Sequence, residues 1–337
     1  VVVVLSLVGL ALVPLTIGRD EASYAWLTGQ LGGSGVYTLN VLFARAVPFI
    51  LATAIAFAVW QRLRGRSRDV VVGNEVRRHD TTTVVSHWVN GFGMIVCLIT
   101  AAWFVRWFER PFEVETLYLL HFIGAALVLA VVAHHSTYQI VLGGRGLQPR
   151  GAEDVRMAAA ETLGYAGVFS KKRSVLGIGL PVSIRRPLQR LVVRRLGIAP
   201  GEEDKYLASE RILSYAPWVI LIGTVVITGL IKAARYVVPV PEAALRVSTF
   251  LHDGAIIWVV ALLFVHVAAL VLVPLNLPLL KSMVTTRISL DFVAQHLPRW
   301  YRRLEAENPG LTAAPPAPAA GGDRAGAPIS NQPAAAP

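Results

Sequence analysis

One stretch constrains this chain more than any other: FLHDGAIIWVVALLFVHVAALVLV, residues 250–273. It is apolar and long enough to cross a bilayer, which takes about 20 such residues. It carries two histidines, His252 and His266, fourteen positions apart. On an α-helix that separation falls about 40° short of four full turns, so both rings share one face, about 21 Å apart along the axis. An ionisable side chain inside a membrane helix is costly and marks a functional site by default. One imidazole near each leaflet, on one face, is the pattern of axial ligands for two stacked haems. A pair of buried hydrogen-bonding histidines is the plainer alternative.

Composition narrows the class. The chain of 337 residues is 54% hydrophobic and only 16% charged, with a mean hydropathy of +0.55. This is an integral membrane protein. Its single cysteine, Cys97, lies in an apolar stretch. That excludes an internal disulfide, covalent CxxCH haem and a cysteine-held iron–sulfur cluster. Any haem is held by histidine. The net charge of +11 fits arginine-rich cytoplasmic loops and anionic lipid, not nucleic acid.

Residues 1–80 form an N-terminal membrane segment and linker. The run at 1–16 reads as either a signal-type apolar region or a membrane helix, and 38–60 as a second apolar span. QRLRGRSRDVVVGNEVRRHD follows, with six arginines; the positive-inside rule places it in the cytoplasm. Residues 81–306 form a domain with helices at about 84–105, 117–142, 210–232 and 250–273. The segment 143–209 carries KKR at 171–173 and RR at 185–186 and 194–195. It is therefore a cytoplasmic loop, long enough to form surface helices or dock a partner. Pro217 is expected to kink the third helix, and Gly223 and Gly229 to allow close helix or haem approach. Residues 307–337 are rich in Pro and Ala and read as a disordered tail.

This topology puts His121 and His252 at the outer leaflet on different helices, where they suit one bis-histidine haem b. At the inner leaflet His266 needs a partner, and depth allows His87, His134 or His135. His121 and His135 repeat the fourteen-residue spacing. That favours His135, although His134 and His135 sit near a polar helix end. His79 and His296 lie in charged segments and read as solvated. Trp88, Trp103, Trp107, Trp258 and Trp300 suit interfacial aromatic belts. Asp253 reads as facing water or a neighbouring subunit, with a role beside His252 as the alternative.

The set of short motifs resembles a known family. SHW at 86–88, LH at 120–121 ahead of HH at 134–135, KY at 205–206, the histidines of 251–266 and PRWY at 298–301 follow one another in order. They are similar to the cytochrome b (gamma) subunit of membrane-bound formate dehydrogenases, within the di-haem cytochromes b that also serve nickel–iron hydrogenases. PRWY favours the formate dehydrogenase branch. The resemblance implies an all-α bundle of four membrane helices binding two haems b, here with one or two extra N-terminal helices. It implies His121 and His252 as ligands of the outer haem, and His87 with His266 for the inner one, His135 being the alternative to His87. It further implies electron flow from a molybdenum or tungsten alpha subunit through an iron–sulfur beta subunit to quinone or menaquinone at the cytoplasmic side. The location would be a bacterial inner membrane. The family's Asn, Gly and Gln after KY are replaced here by Leu207, Ser209 and Glu210. Ser209 and Glu210, with His266, are the candidate quinone contacts; an amphipathic helix start is the plainer reading of the first two. Hydrogenase or thiosulfate-type partners are the alternative function. A transporter or plain anchor is the non-redox alternative. No phosphate-cradling loop or soluble catalytic constellation is present, so substrate oxidation falls to another subunit.

Overall fold

The computed structural model describes residues 35–65, 69–142, 146–169 and 171–311. The expectations for residues 1–16 and for the tail beyond residue 311 lie outside them. Five of the described helices are long and apolar enough to cross a membrane. The first, α1 (Gly35–Leu63), leads to a short hairpin, β1 (Val71–Val72) and β2 (Glu75–Arg77). Helix α2 (Thr81–Phe104) starts where the Asp80 side chain accepts from the Thr83 backbone N–H at 2.6 Å. Such a cap satisfies a first-turn donor that has no partner inside the helix. Helix α3 (Val114–His135) continues through a π turn over Ser136–Val141.

Outside the spans, the described residues of 146–209 fold into short helices. They form α4 (Ala152–Tyr165), two short 3₁₀ turns (Lys171–Arg173 and Val175–Gly177) and α5 (Val182–Leu196). A second π turn, Glu210–Tyr215, opens α6 (Ala216–Ala234). Pro217 sits in the first turn of α6, where a missing N–H costs little. The irregularity is therefore the π turn and not a proline kink. Helix α7 (Glu242–Leu272) begins eight residues before the expected start. An exposed Arg246–Glu242 pair at 3.0 Å marks that polar first turn, which hydropathy alone does not detect. Then follow α8 (Leu277–Thr285), β3 (Arg287–Ser289), α9 (Leu290–His296) and α10 (Pro298–Glu307).

The all-α membrane bundle is as expected, with one small addition. Helices α2, α3, α6 and α7 meet at Met94, Val128, Ile222 and Val259, all buried. Water does not drive helices together inside lipid, so close contact between small residues matters more. A Cβ on Gly93 would sit 2.9 Å from the Gly124 carbonyl, and one on Gly124 would sit 2.8 Å from the Gly93 carbonyl. Helix α1 packs on the outside of α3, with Ala46 and Ile50 against Leu129 and Ala130 and Phe43 stacked on Phe122 at 4.5 Å. Phe92, Ile220, Ile227, Phe250, Ile257 and Phe264 remain exposed, as side chains that meet acyl chains should.

At the arginine-rich end the chain builds a second core, which we call the cap. The addition is a three-stranded antiparallel sheet, β1-β2-β3, with Val76 opposite Ile288. Val76, Leu207, Leu279, Ile288, Val293, Leu297 and Leu304 pack around Trp300. Trp300 is therefore not part of a belt. It is fully buried, and its indole N–H donates to Asp69 at 2.7 Å. His79 is not solvated either. It is 6% exposed beside Tyr206, its ring nitrogens have no hydrogen-bond partner, and burial, with help from Arg78, lowers its pKa to about 2. His296 is half-buried against Phe292.

Candidate functional site

The four histidines emphasised in the sequence come together as two pairs. His121, near the start of α3, faces His252 of α7 with ring centroids 6.3 Å apart. His87, near the start of α2, faces His266 of α7, also at 6.3 Å. Antiparallel α2 and α3 set their depths. A start of α2 lies at the cap, and a start of α3 at the far end. Two metal–imidazole bonds of about 2 Å, with each ring centre about 1 Å beyond its nitrogen, separate ring centres by about 6 Å. Both pairs have that separation.

Hydrogen bonds at the far pair orient the rings. The Thr100 hydroxyl lies 2.8 Å from His121 Nδ1 and donates within its own helix to the Val96 carbonyl at 2.8 Å. Its single proton being committed there, it accepts from Nδ1–H. His252 Nδ1 lies 3.0 Å from the Val225 carbonyl, which can only accept. Both rings thus carry their proton on Nδ1 and keep the Nε2 lone pair for a ligand. Thr228 also approaches His252 Nδ1 at 3.3 Å. Gly229 leaves room for this ring, since a Cβ there would meet His252 Cε1 at 3.0 Å. Gly223 has no atom within 4 Å of such a position, so it serves no close helix contact. At the cap-side pair, Ser214 Oγ lies 3.3 Å from His266 Nδ1. Trp218 stands edge-on to the same ring at 6.4 Å, and Trp88 to His87 at 5.5 Å.

The other histidines are engaged elsewhere. His134 Nε2 meets the Gln61 side-chain oxygen of α1 at 2.8 Å, and His135 Nε2 meets the Tyr215 hydroxyl at 3.1 Å. The structure therefore sets His87, not His135, opposite His266. Asp253 pairs with Lys232 at 2.7 Å on the exposed far side, away from a role on His252.

Of the candidate quinone contacts, Glu210 is held by Arg78, whose Nη2 reaches both carboxylate oxygens at 2.8 Å. Ser209 is buried, with its hydroxyl 3.4 Å from the Tyr165 hydroxyl. Glu210 precedes Ser214 by one turn, and Ser214 touches His266. Ser209, Glu210 and Ser214 thus lie just before α6, beside His266 of the cap-side pair. Thr100, Ser214, Thr228 and the Val225 carbonyl were not singled out in the sequence. A threonine at matching depth on the neighbouring apolar helix was the available signal for Thr100.

The donor set identifies the kind of group that fits. Among the described residues no cluster of three or more His, Cys, Asp or Glu gathers around a bare metal ion. Each pair presents two facing imidazoles, a donor set that would fit a bis-histidine haem. No curated protein matches the chain. The family model described as prokaryotic cytochrome b561 matches residues 78–286. That span is more than half of the chain and includes both histidine pairs. The chain belongs to the prokaryotic cytochrome b561 family and is a multi-pass membrane cytochrome b of the electron-transfer type.

Proposed function

We propose that this chain is the di-haem, quinone-reducing subunit of a formate dehydrogenase complex. His121 and His252 hold one haem b, and His87 and His266 the other. Bound haem supplies a one-electron iron couple at each pair. The observation that carries the reading is the equal 6.3 Å spacing of two imidazole pairs on opposite ends of α7. The positive-inside rule puts the cap in the cytoplasm. Electrons from an iron–sulfur subunit, fed by a molybdenum or tungsten subunit, enter at the far pair and leave at the cap-side pair. Quinone binds there near Ser209, Glu210 and His266 and takes its protons from the cytoplasm. Thr100 and the Val225 carbonyl hold the far imidazoles in their ligating tautomer.

The choice of partner rests on the PRWY motif, with KY beside it. They meet in the cap: Lys205 and Trp300 both bond Asp69, at 2.6 and 2.7 Å, and the ammonium lies 5.2 Å from the indole ring. The matched family region includes KY but ends before PRWY, so it supports the cytochrome and leaves the partner to PRWY. A dithionite-reduced minus oxidised spectrum, with pyridine haemochrome quantitation, tests the ligands. Wild type should hold two haems b, His87→Ala one and His135→Ala two. Loss in His135→Ala alone would reassign the cap-side ligand. No haem in folded wild type would end the electron-transfer reading. Co-purification from native membranes, with formate reducing the haem band, tests the partner.

A further inference from the structure

Between Glu161 and Glu202 the chain carries eight Lys or Arg and no Asp or Glu. Five of the eight, Arg185, Arg186, Arg190, Arg194 and Arg195, sit on α5. Elsewhere in the cap, arginines have acids. Arg150 and Arg303 hold Asp204, Arg211 holds Asp154, Arg299 holds Glu153 and Arg302 holds Glu202. Among the described residues no acid forms an ion pair with any of the five on α5. Like charges this close on one helix repel each other and attract anions. Apolar side chains stand among them. At about 100° per residue, Ile184, Pro187 and Leu191 fall within an arc of about 60°. Arg190 and Arg194 border one edge of that arc and Arg195 the other. Ile184 and Leu191 are 55% and 54% exposed, whereas Val192, on the neighbouring face, is buried.

The residues leading into α5 are also apolar and exposed, Leu176 at 62% and Ile178 at 68%. Their place in the fold says what they meet. The 3₁₀ turn Val175–Gly177 lies against α7 and against the Pro274–Asn276 turn that follows it. Helix α7 spans the membrane, so this turn sits where the span ends, on the cap side. An apolar strip edged by arginines, joined to the end of a spanning helix, has the makeup of a helix that lies in the plane of the lipid headgroups. We propose that α5 and the turn before it lie in the headgroup layer of the cytoplasmic leaflet. Leu176, Ile178, Ile184 and Leu191 enter the acyl boundary. Arg190, Arg194 and Arg195 bind the phosphates of anionic lipid such as phosphatidylglycerol. Arginine suits this position, because its stem lies along apolar surface while its guanidinium donates to phosphate. An acidic protein would match the charge, but the junction with α7 places the strip at lipid. The inference does not depend on the quinone or the donor subunits.

The test uses the full chain in lipid nanodiscs, in whichever of Cys97→Ser and Cys97→Ala keeps the wild-type thermal unfolding. Nitroxides are attached through Ile184→Cys, Leu191→Cys and Val193→Cys, the last about 150° round the helix from the strip. Paramagnetic resonance reads their collision rates with oxygen, which concentrates among acyl chains, and with a water-soluble nickel chelate. In discs with about 30% phosphatidylglycerol, the oxygen-to-nickel ratio should be at least about threefold higher at 184 and 191 than at 193. In phosphatidylcholine discs that difference should fall by about half or more, as it should with Arg190→Gln, Arg194→Gln and Arg195→Gln combined. The comparison of lipids uses protein with its arginines intact, so it stands even where the triple variant does not fold. Equal ratios on both faces in anionic discs, or a difference indifferent to lipid charge, would overturn the proposal. So would a difference restored in phosphatidylcholine discs by inorganic phosphate, which would make this a free-anion site. One that appears only on adding an acidic donor subunit would make it a protein interface and overturn the lipid assignment too.

Discussion

The bundle and the cap use opposite means to hold their shape. In the bundle, large side chains face outward: Trp258 is 69% exposed and Phe250 78%. Contacts between helices rely on small residues, such as Gly93 against Gly124. In the cap, Trp300 and Leu297 are completely buried, and charged groups pair beneath the surface. Arg211 reaches Asp154 with two hydrogen bonds, of 2.8 and 2.6 Å. Arg150 and Arg303 both bind Asp204. The solvent accounts for the difference. Lipid offers no hydrophobic drive between helices, whereas water does for the cap. The bundle can therefore spend its interior on four imidazoles, while the cap fixes the helix ends that set their depth.

The largest test of this contrast removes a bundle ligand. His252→Ala should abolish one of two haems, read by haemochrome, while the ¹⁹F signal of 5-fluorotryptophan at position 300 reports an intact cap. Next comes a matched pair of tryptophans. Trp300→Ala should destabilise by about 3–5 kcal/mol, and Trp258→Ala by about 0.5 kcal/mol or less, in thermal unfolding of reconstituted protein. Equal losses would erase the distinction between the regions. Arg211→Ala should cost about 3 kcal/mol, because it leaves Asp154 buried without its cation. Joint replacement of both by apolar residues should recover most of that loss.

Acid should separate the regions as well. Burial raises the Asp154 and Asp204 carboxyls, but Arg211 outweighs it at Asp154 and Arg303 with Arg150 at Asp204, holding both below the usual carboxylate range. Folded pKa values below the unfolded ones mean stability that is present above about pH 4 and lost as pH falls through the folded values. The ¹⁹F signal of 5-fluorotryptophan at position 300 should therefore change below about pH 4 before the helical circular dichroism of the bundle does. The smallest effect is expected from Thr100→Val, which removes the acceptor of His121 Nδ1. Both haems should remain, with the far one bound about tenfold more weakly in a competition titration with apomyoglobin. No change would show that the threonine does not hold the ring.

The spans were legible because each is one continuous apolar run, and the histidines because a fourteen-residue interval on one helix shows in the sequence as a phase. The cap was far less so. Asp69 meets Trp300, Arg78 meets Glu210, and Val76 pairs with Ile288. No local period links residues that far apart. Thus His79 read as solvated and Trp300 as a belt residue, since each stands among charged neighbours in sequence. By itself, the amino-acid order determined a membrane bundle with imidazoles at two depths, because hydropathy and helical phase are local properties. Only the tertiary structure decided that His87 stands opposite His266 while His135 turns to Tyr215, and that Arg78 reaches Glu210. Those choices depend on how separate helices rotate and dock, which is set by packing between them and not by any one segment.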